Sequence, residues 1–251
     1  MIDRQLADAG PQWLRDALEE TATVVRTWHE SSADQPYFDL HRLAVYRKQY
    51  GVPLQRGHFD GKRGHSGAHM AREVFALVRQ LRKDLRQRNQ EPIEAVVLIW
   101  DMDGDAGARR QGLDQARTTL LADKHDAFAI VYGCPDFERE AWVLAGFEAE
   151  SEAESAALSE LRAELGFSPV TESHRLTAQR DHDPHGGEHK KSAKRVLARL
   201  TSNDPDREQR CWRHMPLQAL RARGGDNGLA SYLDEVRQTL LPLWMRPSPR
   251  P

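Results

Sequence analysis

The feature that most constrains this chain is an apolar run that ends in alternating aspartates. The run Val96–Trp100 is rich in β-branched residues, and it is followed by Asp101, Asp103 and Asp105. Because no polar residue alternates within it, the run predicts a strand buried on both faces, which is typical of parallel α/β sheets. Ligands bind beyond the carboxyl ends of such strands. The acids therefore follow the strand at the position where a site is expected.

Three carboxylates at alternate positions indicate a cation site. Side chains two residues apart on an extended backbone point the same way, so Asp101, Asp103 and Asp105 can direct their carboxylates to one point. Like charges that close repel each other unless a cation neutralises them, and a hard divalent cation prefers oxygen ligands. We expect Mg²⁺ or Mn²⁺ here. The alternative is a solvated turn, because Asp-Gly is common turn chemistry.

The rest of the pattern alternates helices with strands. Apolar residues at helical spacing, with strand-length apolar runs between them, predict helices over 11–29, 68–88, 108–122, 137–145, 152–165 and 228–242, a further helix containing Ala193–Leu200, and strands over 94–100 and 127–132. Strand, helix and strand in succession form a βαβ unit, whose crossover is expected to be right-handed.

Composition narrows the class of protein. Hydrophobic residues make up 39% of the chain and charged residues 29%, which suits a soluble globular protein with a charged surface. The net charge of −2 does not by itself indicate a nucleic-acid binder. No apolar run approaches the roughly 20 residues of a membrane span, and the first residues do not resemble a secretory signal. With only Cys134 and Cys211, a disulfide framework is not expected. We expect a cytoplasmic protein.

Two segments carry a family resemblance. Asp101-Met102-Asp103 after a buried strand resembles the second acidic motif of Toprim domains. The segment Pro135–Ala145 resembles a Pro-x-Phe-Glu-x-Glu-Ala-Trp-Leu-Leu-Ala segment of bacterial Toprim-like proteins of unknown function. The resemblance covers roughly residues 90–150 and extends to nucleases of the overcoming-lysogenisation-defect type.

The resemblance implies a fold and an activity. The fold that it implies is α/β, with a Toprim-like (Rossmann-like) parallel sheet over 1–150 whose first strand is missing or atypical. Beyond it, the apolar spacing predicts a helical extension over 151–245, and the proline-rich end predicts a disordered tail over 246–251. The activity is Mg²⁺-dependent action on phosphodiester bonds, as a nuclease or nuclease-like subunit in bacterial antiviral defence or repair. Its expected partners are nucleic acid and a partner ATPase or a second copy of the chain, with no membrane.

One element of the Toprim pattern is missing. Toprim enzymes carry a Glu-Gly at the end of their first strand as general acid/base, and residues 1–30 contain none. Either the sequence lacks that strand, another acid substitutes, or the site is catalytically silent and only binds nucleic acid or an ATPase. Glu138 and Glu140 are the predicted substitutes, with Glu140 favoured at the edge of a buried stripe formed by Phe137, Ala141 and Leu144. Alternatively, both glutamates belong to a solvated helix face balanced by Arg139.

Three further segments carry candidate binding groups. Bases recur four residues apart and predict a positive helix face that contacts nucleic acid, or else a solvated amphipathic helix; they are Lys190, Lys191, Lys194, Arg195 and Arg199. The spacing of His182, His185 and His189 is compatible with a transition metal, although no cysteine joins them. The segment 57–67 either holds a phosphate or is an ordinary loop.

Overall fold

The structure is a computed structural model that describes residues 1–29, 37–56, 58–59, 62–102, 106–123, 126–177 and 189–245. It is an α/β fold in which helices predominate. The helices are α1 (Ile2–Ala9), α2 (Gln12–Val25), α3 (Leu43–Gln49), α4 (Ala68–Gln87), α5 (Ala106–Ala122), α6 (Arg139–Ala145), α7 (Glu152–Leu165), α8 (Ala193–Thr201), α9 (Pro205–His214), α10 (Leu217–Arg223), α11 (Leu229–Thr239) and α12 (Leu241–Trp244). The strands are β1 (His58–Phe59), β2 (Lys62–Arg63), β3 (Ala95–Ile99) and β4 (Ala129–Gly133).

The described strands form two small sheets. β1 and β2 pair antiparallel, and β3 pairs with β4. The β3–β4 sheet is parallel, with the amide of Ala129 donating to the carbonyl of Glu94 at 2.9 Å and the amide of Trp100 donating to that of Gly133 at 2.9 Å. Helix α5 connects the two strands, so the predicted succession of strand, helix and strand is confirmed.

The prediction that the first strand is buried on both faces is wrong. Within β3 only Leu98 is buried, and Ile99 is 43% exposed. In β4, by contrast, every residue from Ile130 to Gly133 is buried. A run of β-branched residues indicates a strand, but the number of neighbours that cover it is set by tertiary packing.

The chain divides into two compact units. Unit 1 comprises Met1–Ala9, Leu98–Ala106 and Tyr132–Leu241, and unit 2 comprises Gly10–Val97, Gly107–Val131 and Pro242–Pro251. The core of unit 2 forms around α4, whose predicted apolar stripe is buried. In that core Phe75 meets Phe128 edge to face, with their ring centroids 5.9 Å apart.

Unit 1 is mostly helical. One apolar cluster of this unit joins Val143 and Leu144 of α6 to Leu161 of α7 and to Val196 and Leu197 of α8. Elsewhere in the unit, α1 packs against α11. Burial of these faces against one another is the main stabilising contribution, at about 25 cal/mol for each Å² of apolar surface.

Local capping explains where the helices of unit 1 begin and end. Ser151 accepts a hydrogen bond from the amide of Glu154 at the start of α7, and Gly166 ends that helix at a φ of 74°. Ser192 caps α8 in the same way. Since residues with short oxygen-bearing side chains satisfy the unpaired amides of a first helical turn, they fix the helix start.

Helix predictions in the middle of the chain are confirmed to within a few residues, and others need correction. The helix predicted over 228–242 is interrupted, because α11 ends at Thr239 and α12 begins at Leu241. The sequence did not predict α1, α3, α9 or α10. No helix among the described residues is both long and apolar enough to cross a bilayer. The boundary at 150 stays a prediction, and the tail 246–251 lies outside the described residues.

Candidate functional site

Asp101 lies at the carboxyl end of the β3–β4 sheet, in unit 1. The parallel pairing continues past the strands, because the amide of Met102 donates to the carbonyl of Pro135 at 3.0 Å. Met102 is buried, whereas Asp101 is partly exposed and so reaches the surface at this edge. Asp103 and Asp105 lie outside the described residues, and joint metal binding stays a prediction. The described residues alone contain no group of three acidic, His or Cys side chains suited to a metal.

A buried asparagine holds the segment that follows β4. The carbonyl of Asn227 accepts from the amide of Asp136 at 3.2 Å and from the indole of Trp142 at 2.7 Å. The Asn227 side chain donates to the carbonyl of Ala141 at 3.2 Å and to the hydroxyl of Ser173 at 2.8 Å. Each such bond contributes about 1 kcal/mol. Asn227 therefore fixes this segment and α6 at the edge where Asp101 lies.

The next residue, Gly228, has to be glycine. It precedes α11 with a φ of 86°, and a Cβ there would lie 2.4 Å from the carbonyl oxygen of Cys134. Both the positive φ and the close approach exclude other side chains. The dipeptide Asn227-Gly228 is a turn signal in the sequence, and it was missed as a support of the site.

Glu138 is the buried acid of this region. It is the N-cap residue of α6 and is 4% exposed, and its Oε1 lies 2.8 Å from Nζ of Lys194. The alternative prediction, a solvated helix face balanced by Arg139, is wrong for Glu138, because Glu138 is buried and Arg139 pairs with Glu208 at 3.1 Å. For Glu140 it stays a prediction. A buried carboxylate with a cationic partner is strongly destabilised when that partner is removed. Sequence reasoning had assigned Lys194 to a nucleic-acid surface and missed this pair.

The reason for favouring Glu140 does not hold. Helix α6 begins at Arg139, so Phe137 precedes it and is 36% exposed. The buried stripe begins only at Ala141. The predicted stripe starts at Phe137, which is not part of the helix. Glu140 lies in the first turn of α6 and is partly exposed.

The predicted basic face is shorter than expected. Because α8 begins at Ala193, Lys190 and Lys191 precede the helix, and the prediction that all five bases share one helix face is wrong. The Nη2 atom of Arg195 lies 2.8 Å and 3.0 Å from the two carboxylate oxygens of Glu164.

The remaining base of α8 is also paired with acids. Arg199 pairs with Glu160 and, at 3.1 Å, with Glu164. The hydrogen bond from Arg195 holds the pKa of the Glu164 carboxyl below its ordinary value. Most of the positive charge on α8 is therefore neutralised within unit 1.

The other candidate groups add no described site. His182 and His185 lie outside the described residues, and the ring Nδ1 of His189 accepts from the amide of Lys191 at 3.3 Å. Cys134 and Cys211 are both buried and form no disulfide. Burial raises the pKa of the Cys211 thiol to about 11, so little of the reactive thiolate exists near neutral pH.

Unit 1 thus contains one partly exposed carboxylate, Asp101, at the carboxyl end of the sheet, and a buried ion pair between Glu138, on the segment after β4, and Lys194 of α8. The arrangement offers an oxygen ligand for a cation, together with a carboxylate and an ammonium group. Comparison with known proteins adds no relative, since no protein-family model matches the chain and no match is found among curated proteins or solved structures.

Proposed function

We propose that this chain is a Mg²⁺-dependent, Toprim-like protein that acts on phosphodiester bonds, as a nuclease or nuclease-like subunit in bacterial defence or repair. The observation that supports the proposal is the position of Asp101 beyond β3 in a parallel pair of strands, next to the segment that leads to Glu138. Such an edge is where α/β sheets bind ligands. A Toprim-like parallel sheet is part of this proposal.

The roles follow from residue chemistry. Asp101 and Asp103, with Asp105 nearby in sequence, provide the carboxylates, and Mg²⁺ needs only one or two of them beside water and phosphate oxygens. When bound, the metal supplies a water of lowered pKa and stabilises the leaving oxygen. Lys194 has a side chain that is 42% exposed and can contact an anionic substrate while it remains near Glu138. We assign Glu138 to proton transfer at this edge.

Metal binding is tested by calorimetry with Mn²⁺ on the wild type and on Asp101→Asn/Asp103→Asn. The double variant should lose binding, because both proposed ligands become neutral. The matched control is Asp206→Asn/Asp226→Asn, which makes the same change of charge at two exposed positions in α9 and before α11. Equal Mn²⁺ affinity in the wild type and in Asp101→Asn/Asp103→Asn would rule out the metal assignment.

Cleavage is tested on single-stranded and duplex oligonucleotides with Mg²⁺. A positioned general acid or base contributes about 10²–10⁴-fold in rate, so Glu138→Gln should slow cleavage by that factor and leave Mn²⁺ binding intact. Glu140→Gln is the parallel variant and should retain most of the activity. If Glu140→Gln has the larger effect, the proton-transfer role belongs to Glu140 instead.

The second candidate is a catalytically silent subunit that binds nucleic acid or a partner ATPase. The observation that favours it is the ion pair between Glu138 and Lys194, because the ammonium group of Lys194 lies against the carboxylate oxygen that would have to accept a proton. A wild-type protein that binds Mn²⁺ and oligonucleotide but cleaves neither substrate would support this candidate over the enzyme.

A further inference from the structure

Unit 2 contains a cationic groove that none of the functional candidates above uses. It has a volume of about 590 Å³ and lies between α4, α5 and the segment 52–55. Four cationic side chains of α4 line it, and they are Arg72, Arg79, Lys83 and Arg86. A volume of this size is typical of a ligand site.

The four cations form a single row along the helix. At 3.6 residues per turn, positions 72, 79, 83 and 86 fall within about 60° of the helix circumference. Arg72 donates to the backbone carbonyls of Arg56 and His58, so the row left for a ligand runs from position 79 to position 86 and is about 10.5 Å long at 1.5 Å per residue. Its length and straightness match an extended anion with several charges better than they match a compact one.

The acids on this row do not balance its charge. The carboxylate of Asp126 is shared by three guanidinium groups, with nitrogen–oxygen distances of 3.9 Å to Arg79, 3.2 Å to Arg82 and 3.1 Å to Arg86. Arg82 is buried, so its ion pair with Asp126 stabilises the fold and takes up part of the negative charge of that carboxylate. Asp123 adds a second pairing to Arg79, at 2.9 Å.

Lys83 carries unbalanced charge. It is exposed, and among the described residues no carboxylate lies within 4 Å of its ammonium group. An anion in the groove would therefore be attracted by a surplus of two positive charges, since three arginines and Lys83 stand against the two carboxylates of Asp123 and Asp126.

The walls of the groove indicate how a ligand would be recognised. The opposite wall is formed by small and apolar groups of α5, including Ala116 and Leu120. Phe75 lines the floor but is only 3% exposed and packs edge to face on Phe128, so its ring face is not available to stack on a base. Recognition would then use phosphate charge alone, without reading base sequence.

We propose that this groove binds the phosphodiester backbone of single-stranded nucleic acid, with Arg79, Lys83 and Arg86 contacting successive phosphates. Guanidinium groups form paired hydrogen bonds with phosphate oxygens, and lysine acts as a point charge. The choice of nucleic acid rests on the function proposed above, and the binding itself needs no metal.

The test measures binding of a fluorescent oligothymidylate by anisotropy in EDTA, over a range of salt concentrations. Arg79→Gln/Lys83→Gln/Arg86→Gln should bind at least about tenfold more weakly. The slope of log affinity against log salt should fall by about 2, since each phosphate contact on a single strand contributes about 0.7. The control Arg162→Gln/Arg213→Gln/Arg237→Gln removes the same charge from exposed positions of α7, α9 and α11 and should keep the slope.

The triple variant could lose binding because it loses structure, since Arg79 and Arg86 also pair with Asp126. A single variant therefore tests the charge alone. Lys83→Gln alone should melt like the wild type and reduce the slope by about 0.7. The proposal is overturned if the groove and control variants lose affinity equally, or if Lys83→Gln leaves the slope unchanged. It is also overturned if ATP or pyrophosphate binds while the oligothymidylate does not. Because EDTA removes metal, failure of the metal-dependent activity would leave this result unaffected.

Discussion

The two basic helices of this chain carry similar residues and differ in what surrounds them. On α8, Lys194, Arg195 and Arg199 each meet a carboxylate, provided by Glu138 and by α7. On α4, three arginines share Asp126, with Asp123 as a second partner of Arg79 alone, and Lys83 has no carboxylate within 4 Å among the described residues. Whether a basic helix is available to an anion is therefore decided by the acids that other elements bring to it.

The geometry of α7 explains the difference. Glu160 and Glu164 are four residues apart and so lie on one face of α7, and Arg195 and Arg199 have the same spacing on α8. The two rows face each other where these helices pack. Beside α4, by contrast, the groove-facing residues of α5 are Ala116, Thr119 and Leu120, which carry no charge.

The largest expected effect comes from removing the buried ion pair between α8 and Glu138. Lys194→Met leaves the carboxylate of Glu138 without its ammonium partner at 4% exposure, and it should lower the free energy of unfolding by about 3 kcal/mol. Urea denaturation measures the change. The control is Lys191→Met, an exposed lysine that precedes α8 and should change stability by less than about 0.5 kcal/mol.

The double variant Lys194→Met/Glu138→Gln separates charge burial from lost packing. It should recover most of the stability, because the buried negative charge of residue 138 is gone. If Lys194→Met lowers the free energy of unfolding by less than about 1 kcal/mol, the ion pair is solvated and contributes little to the packing of α8.

Sequence patterns predicted the helices and strands better than they predicted which residues of those elements are buried or paired. The helix over 68–88 and the crossover from β3 to β4 follow from apolar periodicity, which is local information. The burial of β3 and the pairing of Glu138 with Lys194 depend on neighbours distant in sequence. The start of α8 was missed although Ser192 is a good N-cap, because bases at helical spacing continue upstream of it.

Only the part of the candidate site that depends on local sequence was predicted. The position of Asp101 at a strand end follows from a local motif. The support that Asn227 gives to the segment after β4 joins residues more than 80 positions apart, with Trp142 donating to it at 2.7 Å. One Asn-Gly dipeptide signals a turn but not the element against which the turn packs.

A smaller effect is expected from removing the acids that neutralise α8. Glu160→Gln/Glu164→Gln releases the charges of Arg195 and Arg199, so oligothymidylate should bind several-fold more tightly. The salt slope should rise by about 1.4, at about 0.7 for each new phosphate contact. Anisotropy titrations measure both quantities.

The control Glu19→Gln/Glu20→Gln makes the same charge change at exposed positions of α2 and should leave the salt slope unchanged. An unchanged slope in Glu160→Gln/Glu164→Gln would mean that charge neutralisation is not what separates α8 from α4.

The smallest effect concerns pH. The pKa of the Glu164 carboxyl is lowered by its hydrogen bond from Arg195, so the ionised form is favoured in the folded state. A lowered pKa means that the stabilisation is present above the unfolded pKa of about 4.3 and is lost as pH falls through the lower folded value. Because the pair is partly exposed, its contribution should be below about 1 kcal/mol.

Urea denaturation of wild type and Glu164→Gln at pH 7 should show this difference in the free energy of unfolding, and at pH 3 the difference should be reduced. Lys83→Gln on α4 alters no carboxylate pair, and its difference from the wild type should stay constant over the same range. A Glu164→Gln difference that is equally large at both pH values would assign its cause to packing against α8 and remove the electrostatic account of the contrast between the two helices.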